Sequence, residues 1–191
     1  MSVHRYIDNE VPWDGAGGAF GEWAARRQEG DSTIERAADG AFPDRGGWSL
    51  RCRPVGAAPA YVTADDVAPA PGPGESIFLG FWFRIPVGPL VNGPILRLGD
   101  APSLLEVRLQ GRALTTNVAT DGGAGVQLPL IQAADDRWAW LLLEVRRAGA
   151  PNAADGLLRA SFEGWQVEVA GVDNYDVLAS RPGALVLGSL S

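Results

Sequence analysis

Few side chains in this sequence could do acid–base, nucleophilic or metal chemistry. There is one histidine, His4, and one cysteine, Cys52, and all 16 basic residues are arginines. A single cysteine forms neither an intramolecular disulfide nor a cysteine-based zinc site, and a single histidine excludes metal centres that need two or three. A serine triad would have to recruit His4 from near the chain terminus, and there is no lysine to form a Schiff base. These counts argue against an enzyme.

Carboxylates are numerous, 23 in all, but their spacing does not match that of a glycosidase. Glycosidases need two carboxylates flanking the scissile bond, one of which acts as the general acid. Here Glu144 is followed two positions later by Arg146, and Glu106 by Arg108. Side chains two apart on a strand share a face, so each pair is predicted to be a surface ion pair. We expect no catalytic residues.

One short acidic segment could hold a cation. Asp173, Asn174 and Asp176 offer two carboxylates and an amide oxygen within four residues. Calcium needs six or more oxygen ligands, which usually come from several loops, and one segment supplies too few. We therefore expect no metal and no other cofactor, with calcium at these three residues as the alternative.

Tryptophans are the other chemical resource, seven in all. Aromatic side chains offer large, flat, partly polar surfaces on which sugar rings can stack. Trp138 and Trp140 share one face of an alternating segment with Glu144 and Arg146. These four residues, together with Arg108, are the candidate ligand-binding residues.

Segments in which apolar residues alternate predict the strands that position these groups. The strongest, 77–85, has an apolar residue at every odd position, while its other face carries Phe78, Gly80 and Trp82. That pattern predicts a strand covered on both faces, with Trp82 in the core. The other alternating segments are 48–53, 105–110, 141–146, 158–163 and 165–169.

Turn residues separate these segments. Glu163–Gly164 divides two of them and predicts a tight hairpin. Only residues 22–29 are compatible with a turn or two of helix. Many short strands without long helices predict an all-β protein, an antiparallel β-sandwich of two curved sheets in one domain spanning residues 1–191.

The order of the segments resembles the laminin G-like jelly roll of the concanavalin A-like lectin/glucanase superfamily. The resemblance rests on residues 46–50, 60–62, 77–85, 95–100, 138–145, 158–167 and 185–188. In such domains a further strand usually follows the last, glycine-ended one and pairs with the N-terminal strand, whereas this sequence stops at Ser191. The resemblance therefore implies an edge that the N-terminal residues or another chain would cover.

The net charge of −7 predicts repulsion of a phosphate backbone, so we expect no nucleic-acid partner. The start of the sequence lacks the apolar core of a secretory signal, and no segment is apolar and long enough to enter a membrane as a helix. Neither observation fixes the compartment, and both are compatible with assembly into a virion or outside the cell.

Three hypotheses follow, of which the first is favoured. The chain is a non-catalytic structural or adhesion module, whose partners are other protein subunits or a second copy, within an assembly such as a virion, tail or surface appendage. The first alternative is a lectin-like domain that binds glycans. The second alternative is a glycan-cleaving enzyme whose site is not recognisable in the sequence.

Overall fold

The computed structural model describes residues 25–37, 49–53, 58–64, 69–85, 87, 92–99, 103–133, 136–179 and 183–189. Every regular element in these residues is a β-strand. Nothing in this part of the chain forms a helix with the length and apolar character needed to cross a bilayer. His4 lies outside the described residues.

The larger sheet is antiparallel and contains eight strands. They are β1 (Ala25–Gln28), β4 (Ala60–Ala64), β6 (Gly93–Leu98), β7 (Leu105–Gln110), β8 (Ala113–Val118), β9 (Val126–Gln127), β10 (Ile131–Gln132) and β14 (Leu185–Ser189). Their order is β1-β4-β14-β6-β7-β8-β10, and the short β9 also pairs with β8.

The second sheet has four antiparallel strands in the order β13-β12-β11-β5. These are β5 (Ser76–Arg84), β11 (Trp138–Arg146), β12 (Gly156–Phe162) and β13 (Trp165–Val172). The remaining strands, β2 (Thr33–Ala37) and β3 (Ser49–Arg53), form a separate antiparallel pair.

The two large sheets pack face to face around one apolar core. Leu141 and Leu143 of β11 and Leu105 and Val107 of β7 are almost completely buried in it. In a second apolar cluster Ile34 of β2 packs with residues of β4, and Leu187 of β14 packs against both clusters. The architecture is therefore an all-β sandwich, as the alternating segments predicted.

Several predicted elements are confirmed in detail. The segments 77–85, 105–110, 158–163 and 165–169 correspond to β5, β7, β12 and β13. The Glu163–Gly164 hairpin is also present, and both residues adopt positive φ values, 47° and 85°. A two-residue turn with positive φ at both positions matches the twist of its strands, which explains why a glycine is needed here.

The prediction of a short helix over residues 22–29 is wrong, because Ala25–Gln28 is a strand that pairs with β4. Sheet pairing with a distant strand overrides the local helix propensity of this segment. β8 was not predicted either, since its adjacent Thr115 and Thr116 hide the alternation.

The glycine-ended strand β14 lies inside the larger sheet, not at its edge. It is hydrogen-bonded to β4 on one side and to β6 on the other. A further strand supplied by another chain stays a prediction.

Candidate functional site

The four-stranded sheet has one face against the core and one outer face. On β11, the residues that alternate with the buried Ala139, Leu141 and Leu143 point outward. The structure thus brings four of the predicted site residues to this outer face: Trp138, Trp140, Glu144 and Arg146.

Three aromatic side chains form what we call the aromatic platform: Phe78, Trp82 and Trp140. Phe78 is 60% exposed and Trp82 is 44% exposed. Trp82 and Trp140 are cross-strand neighbours whose ring centroids lie 5.4 Å apart at an interplanar angle of 50°. The tilted arrangement suits aromatic pairs and leaves ring surface open to solvent.

The prediction that Trp82 belongs to the core is wrong. β5 is apolar on both faces, but the sandwich covers only the face that carries Ile77 and Ile85. Alternation identifies the two faces of a strand and does not show whether a second layer covers both of them.

Gly80 determines how the platform is built. It lies between Phe78 and Trp82 on the outer face, and a Cβ atom at this position would be 2.5 Å from the Cζ2 of Trp140. The indole of Trp140 therefore lies directly over the glycine backbone. Any larger residue at position 80 would push the ring away from the sheet.

A row of charged and polar side chains crosses the outer face beside the platform. Arg159 donates from Nη1 to Glu144 Oε2 at 2.8 Å and from Nε to Glu168 Oε2 at 2.9 Å. Ser76 Oγ donates to the other Glu144 oxygen at 2.8 Å. The hydrogen bonds to Glu168 and the nearby Glu144 carboxylate raise the pKa of Arg159 above its ordinary value, so the guanidinium stays charged.

Glu144 was predicted to pair with Arg146, and that prediction is wrong. The register of β11 and β12 places Arg159 directly opposite Glu144, and this cross-strand neighbour forms the ion pair with the Glu144 carboxylate. Arg146 instead donates from Nη2 to the carbonyl oxygen of Asp155 at 3.1 Å.

Arg108, the fifth predicted site residue, is not part of this face. It lies on β7 in the larger sheet and donates to Glu106 at 2.8 Å, as its spacing predicted. Arg97 donates to the second Glu106 oxygen at 2.7 Å. Burial alone would raise the pKa of Glu106, but the hydrogen bonds from Arg108 and Arg97 outweigh it and lower that pKa.

The three calcium candidates do not assemble into a ligand set. Asn174 is fully buried, and its amide accepts from Ala148 N at 2.8 Å and donates to Arg146 O at 3.1 Å. The Asn174 side-chain oxygen is therefore already used in a structural hydrogen bond. Across the described ranges, no three His, Cys, Asp or Glu side chains are grouped so as to hold a metal ion.

Asp121, from the loop after β8, joins this acidic segment. Its carboxylate accepts from Asp176 N at 2.9 Å and from Val177 N at 2.8 Å. Burial and the neighbouring Asp121 and Asp176 carboxylates raise the pKa of Asp173. These hydrogen bonds join the loop after β8 to the segment after β13.

Sequence reasoning missed Phe78, and it missed Ser76, Arg159 and Glu168, which join the predicted Glu144 in one row. The alternation in β5 does place Phe78 opposite the core-facing residues, but the face that carries Phe78 was interpreted as covered by a second layer. For the row, the signal was the hairpin: a turn at 163–164 fixes the register that places Arg159 opposite Glu168.

No protein-family model and no curated protein sequence matches this chain. Several solved structures have a similar fold. One is an endo-β-1,4-glucuronan lyase from the fungus Trichoderma reesei, with a TM-score of 0.66 and 17% identity, covering 91% of this chain and 81% of the lyase.

Two others are botulinum neurotoxin binding domains. That of serotype G has a TM-score of 0.53 at 8% identity and 92% coverage of this chain. That of serotype D/C has a TM-score of 0.51 at 13% identity and 88% coverage. This chain spans about two fifths of the length of each toxin domain, 40% and 39%. At these identities the similarity establishes the fold: this chain is a jelly-roll β-sandwich, consistent with the concanavalin A-like architecture.

Proposed function

We propose that this protein is a non-catalytic module that binds carbohydrate on the outer face of its four-stranded sheet. The observation that carries the proposal is the aromatic platform, where the exposed Phe78 and Trp82 lie with the half-buried Trp140 on the outer face of the sheet. Large exposed aromatic groups on a rigid sheet are uncommon without a ligand or partner. The similar fold of a lyase that acts on a glucuronan agrees with a carbohydrate-related role.

The polar groups beside the platform suit binding better than cleavage. A glycosidase needs one carboxyl that is held protonated as the acid and a second that is free to attack or to activate water. Glu144 and Glu168 instead both accept hydrogen bonds from the one Arg159 guanidinium, so neither carboxylate is left free for either role.

The test is to titrate the protein with a panel of oligosaccharides and to measure binding by calorimetry and by tryptophan fluorescence. We expect Trp140→Ala to weaken binding about tenfold, or roughly 1.4 kcal/mol, through the loss of stacking surface. Trp165→Ala is the matched control, because Trp165 is 80% exposed but lies at the hairpin outside the platform. Absence of binding to every sugar, or a loss confined to Trp165→Ala, would contradict the proposal, and release of reducing ends would contradict its non-catalytic part.

The second candidate is a structural or adhesion subunit of a larger assembly, such as a virion, tail or surface appendage. It is favoured by exposed apolar side chains outside the platform, Val87, Leu130 and Trp165. Aromatic and aliphatic residues of this kind are typical of protein interfaces. A concentration-dependent oligomer that Trp165→Ala dissociates would support this role.

A further inference from the structure

We propose that the outer face selects neutral glycans over glycans that carry carboxylates, an inference that rests on the proposed carbohydrate binding. It follows from how the charges of this face are already paired. The property concerns specificity, so it can fail while carbohydrate binding itself holds.

The arginines of the outer face have their partners within the protein. Arg159 is held by Glu144 and Glu168, and Arg84 lies 2.7 Å from Asp136. These salt bridges occupy the Arg84 and Arg159 guanidinium groups, and Arg146 donates one of its N–H groups to the Asp155 carbonyl. Proteins recognise carboxylates best through arginine forks that are free to make two parallel hydrogen bonds.

The charges also balance across this face. Three guanidinium groups, Arg84, Arg146 and Arg159, are matched by three carboxylates: Asp136, Glu144 and Glu168. An acidic ligand would therefore gain no net attraction. It would also approach Glu168, whose side chain is 46% exposed, and would be repelled by it.

The platform itself disfavours anions. The face of an aromatic ring carries negative electrostatic potential, so it attracts C–H groups and cations and repels carboxylates. A carboxylate pressed against Trp140 or Phe78 would lose water without gaining a hydrogen bond, which is costly. A neutral sugar loses less, because it places C–H groups on the rings and hydroxyls beside the charged row.

Phe78 and Trp82 are four residues apart on β5, which places their Cα atoms about 13 Å from each other. That separation exceeds a single sugar ring, so the geometry favours a chain of sugars. The ligand class is thus a neutral oligosaccharide or polysaccharide.

The experiment compares oligosaccharides of equal length that differ only at C6. β-1,4-glucan is paired with β-1,4-glucuronan, and β-1,4-mannan with β-1,4-mannuronan, so that a CH₂OH group is exchanged for a carboxylate on the same backbone. Affinities are measured by calorimetry for the wild type and for Trp140→Ala. We expect the Trp140-dependent affinity to be at least about tenfold higher for the neutral member of a pair, and nearly independent of salt.

A second variant tests the cause. Glu168→Gln leaves Arg159 with one carboxylate and gives the face a net positive charge. We expect it to bind the acidic member several-fold more tightly than the wild type does, in a salt-sensitive way, with little change for the neutral member. Asp31→Asn is the control, since Asp31 is an exposed acidic residue in the turn between β1 and β2, outside the four-stranded sheet.

The outcomes separate the two proposals. Equal or tighter Trp140-dependent binding of the acidic members would overturn the neutral preference and leave carbohydrate binding intact. An unchanged affinity of Glu168→Gln for acidic sugars would refute charge pairing as the cause. No binding to any of the four sugars or to the wider panel would overturn carbohydrate binding itself.

Discussion

At the scale of single residues, Gly80 decides whether this sheet face is a platform or an ordinary strand surface. Tryptophans on adjacent strands do not by themselves lie flat, and here the absence of a Cβ atom lets the Trp140 indole rest on the backbone of β5. The sequence predicted the outward position of Trp140 from its alternation with Leu141 and Leu143. It did not predict the contact with Gly80, because that contact depends on the register between β5 and β11.

We predict that Gly80→Ala displaces the Trp140 ring. The added methyl group would lie 2.5 Å from Cζ2 and 2.6 Å from Cη2 of the indole. Overpacking of this kind costs about 1–3 kcal/mol of the free energy of unfolding, which urea titration measures, and the moved ring changes the tryptophan emission. Gly122→Ala is the control, since no atom lies within 4 Å of a Cβ there and its φ is not positive. Wild-type stability and emission in Gly80→Ala would refute this role of the glycine.

At the scale of elements, Arg147 connects β11 to two neighbouring loops. Its side chain is buried, and it donates from Nε to Tyr175 O at 2.8 Å and from Nη1 to Pro71 O at 3.0 Å. The guanidinium also lies 4.1 Å from the centroid of the Tyr175 ring. Since a buried charge is costly without partners, these carbonyls and the ring must together stabilise it.

We predict that Arg147→Lys loosens both loops. Lysine keeps the charge but lacks the planar fork, so it cannot donate to both carbonyls and stack on Tyr175 at the same time. The expected loss in the free energy of unfolding is about 1–3 kcal/mol. Amide exchange should become faster in residues 69–75 and 173–179. The adjacent, less buried Arg146→Lys should change stability by less than about 0.5 kcal/mol. Unchanged exchange in both loops would show that Arg147 does not hold them.

The sequence predicted elements better than the layers that cover them. Period-two alternation located β5, β7, β11, β12 and β13, because a half-buried strand must alternate. Burial of the second face of β5 was inferred from its apolar residues alone and was wrong. Whether Phe78 and Trp82 meet solvent depends on which strands pack where, and this information is spread over the whole chain.

At the scale of the whole molecule, the described ion pairs of the two sheets are arranged in opposite ways. On the four-stranded sheet Glu144 and Glu168 share Arg159, whereas on the larger sheet Arg97 and Arg108 share Glu106. Arg108 was therefore predicted for the wrong face. Its spacing from Glu106 predicted the ion pair correctly, but local spacing carries no information on which sheet a strand joins. Four of the five predicted site residues do lie together, because one strand, β11, carries all four.

The same distribution of charges makes stability depend on pH in two opposite ways. The pKa of Glu106 is lowered, so its contribution is present above its ordinary pKa of 4.5 and is lost as the pH falls through the folded-state value. The pKa of Asp173 is raised, so its contribution is present below its ordinary pKa of 3.8 and is lost as the pH rises through the folded-state value.

Chemical denaturation at a series of pH values separates these two contributions. Because glutamine does not titrate, Glu106→Gln should lower the free energy of unfolding at neutral pH, where Arg97 and Arg108 lose their shared carboxylate. The loss should shrink as the pH falls and disappear once Glu106 would be protonated in both states. For Asp173→Asn we expect the opposite trend. As the pH rises, the free energy of unfolding of the variant should increase relative to that of the wild type, because asparagine never acquires the negative charge that Asp121 and Asp176 oppose. Parallel curves for the wild type and both variants would show that neither carboxyl is linked to folding. A reversal of either slope would assign the linkage to other groups.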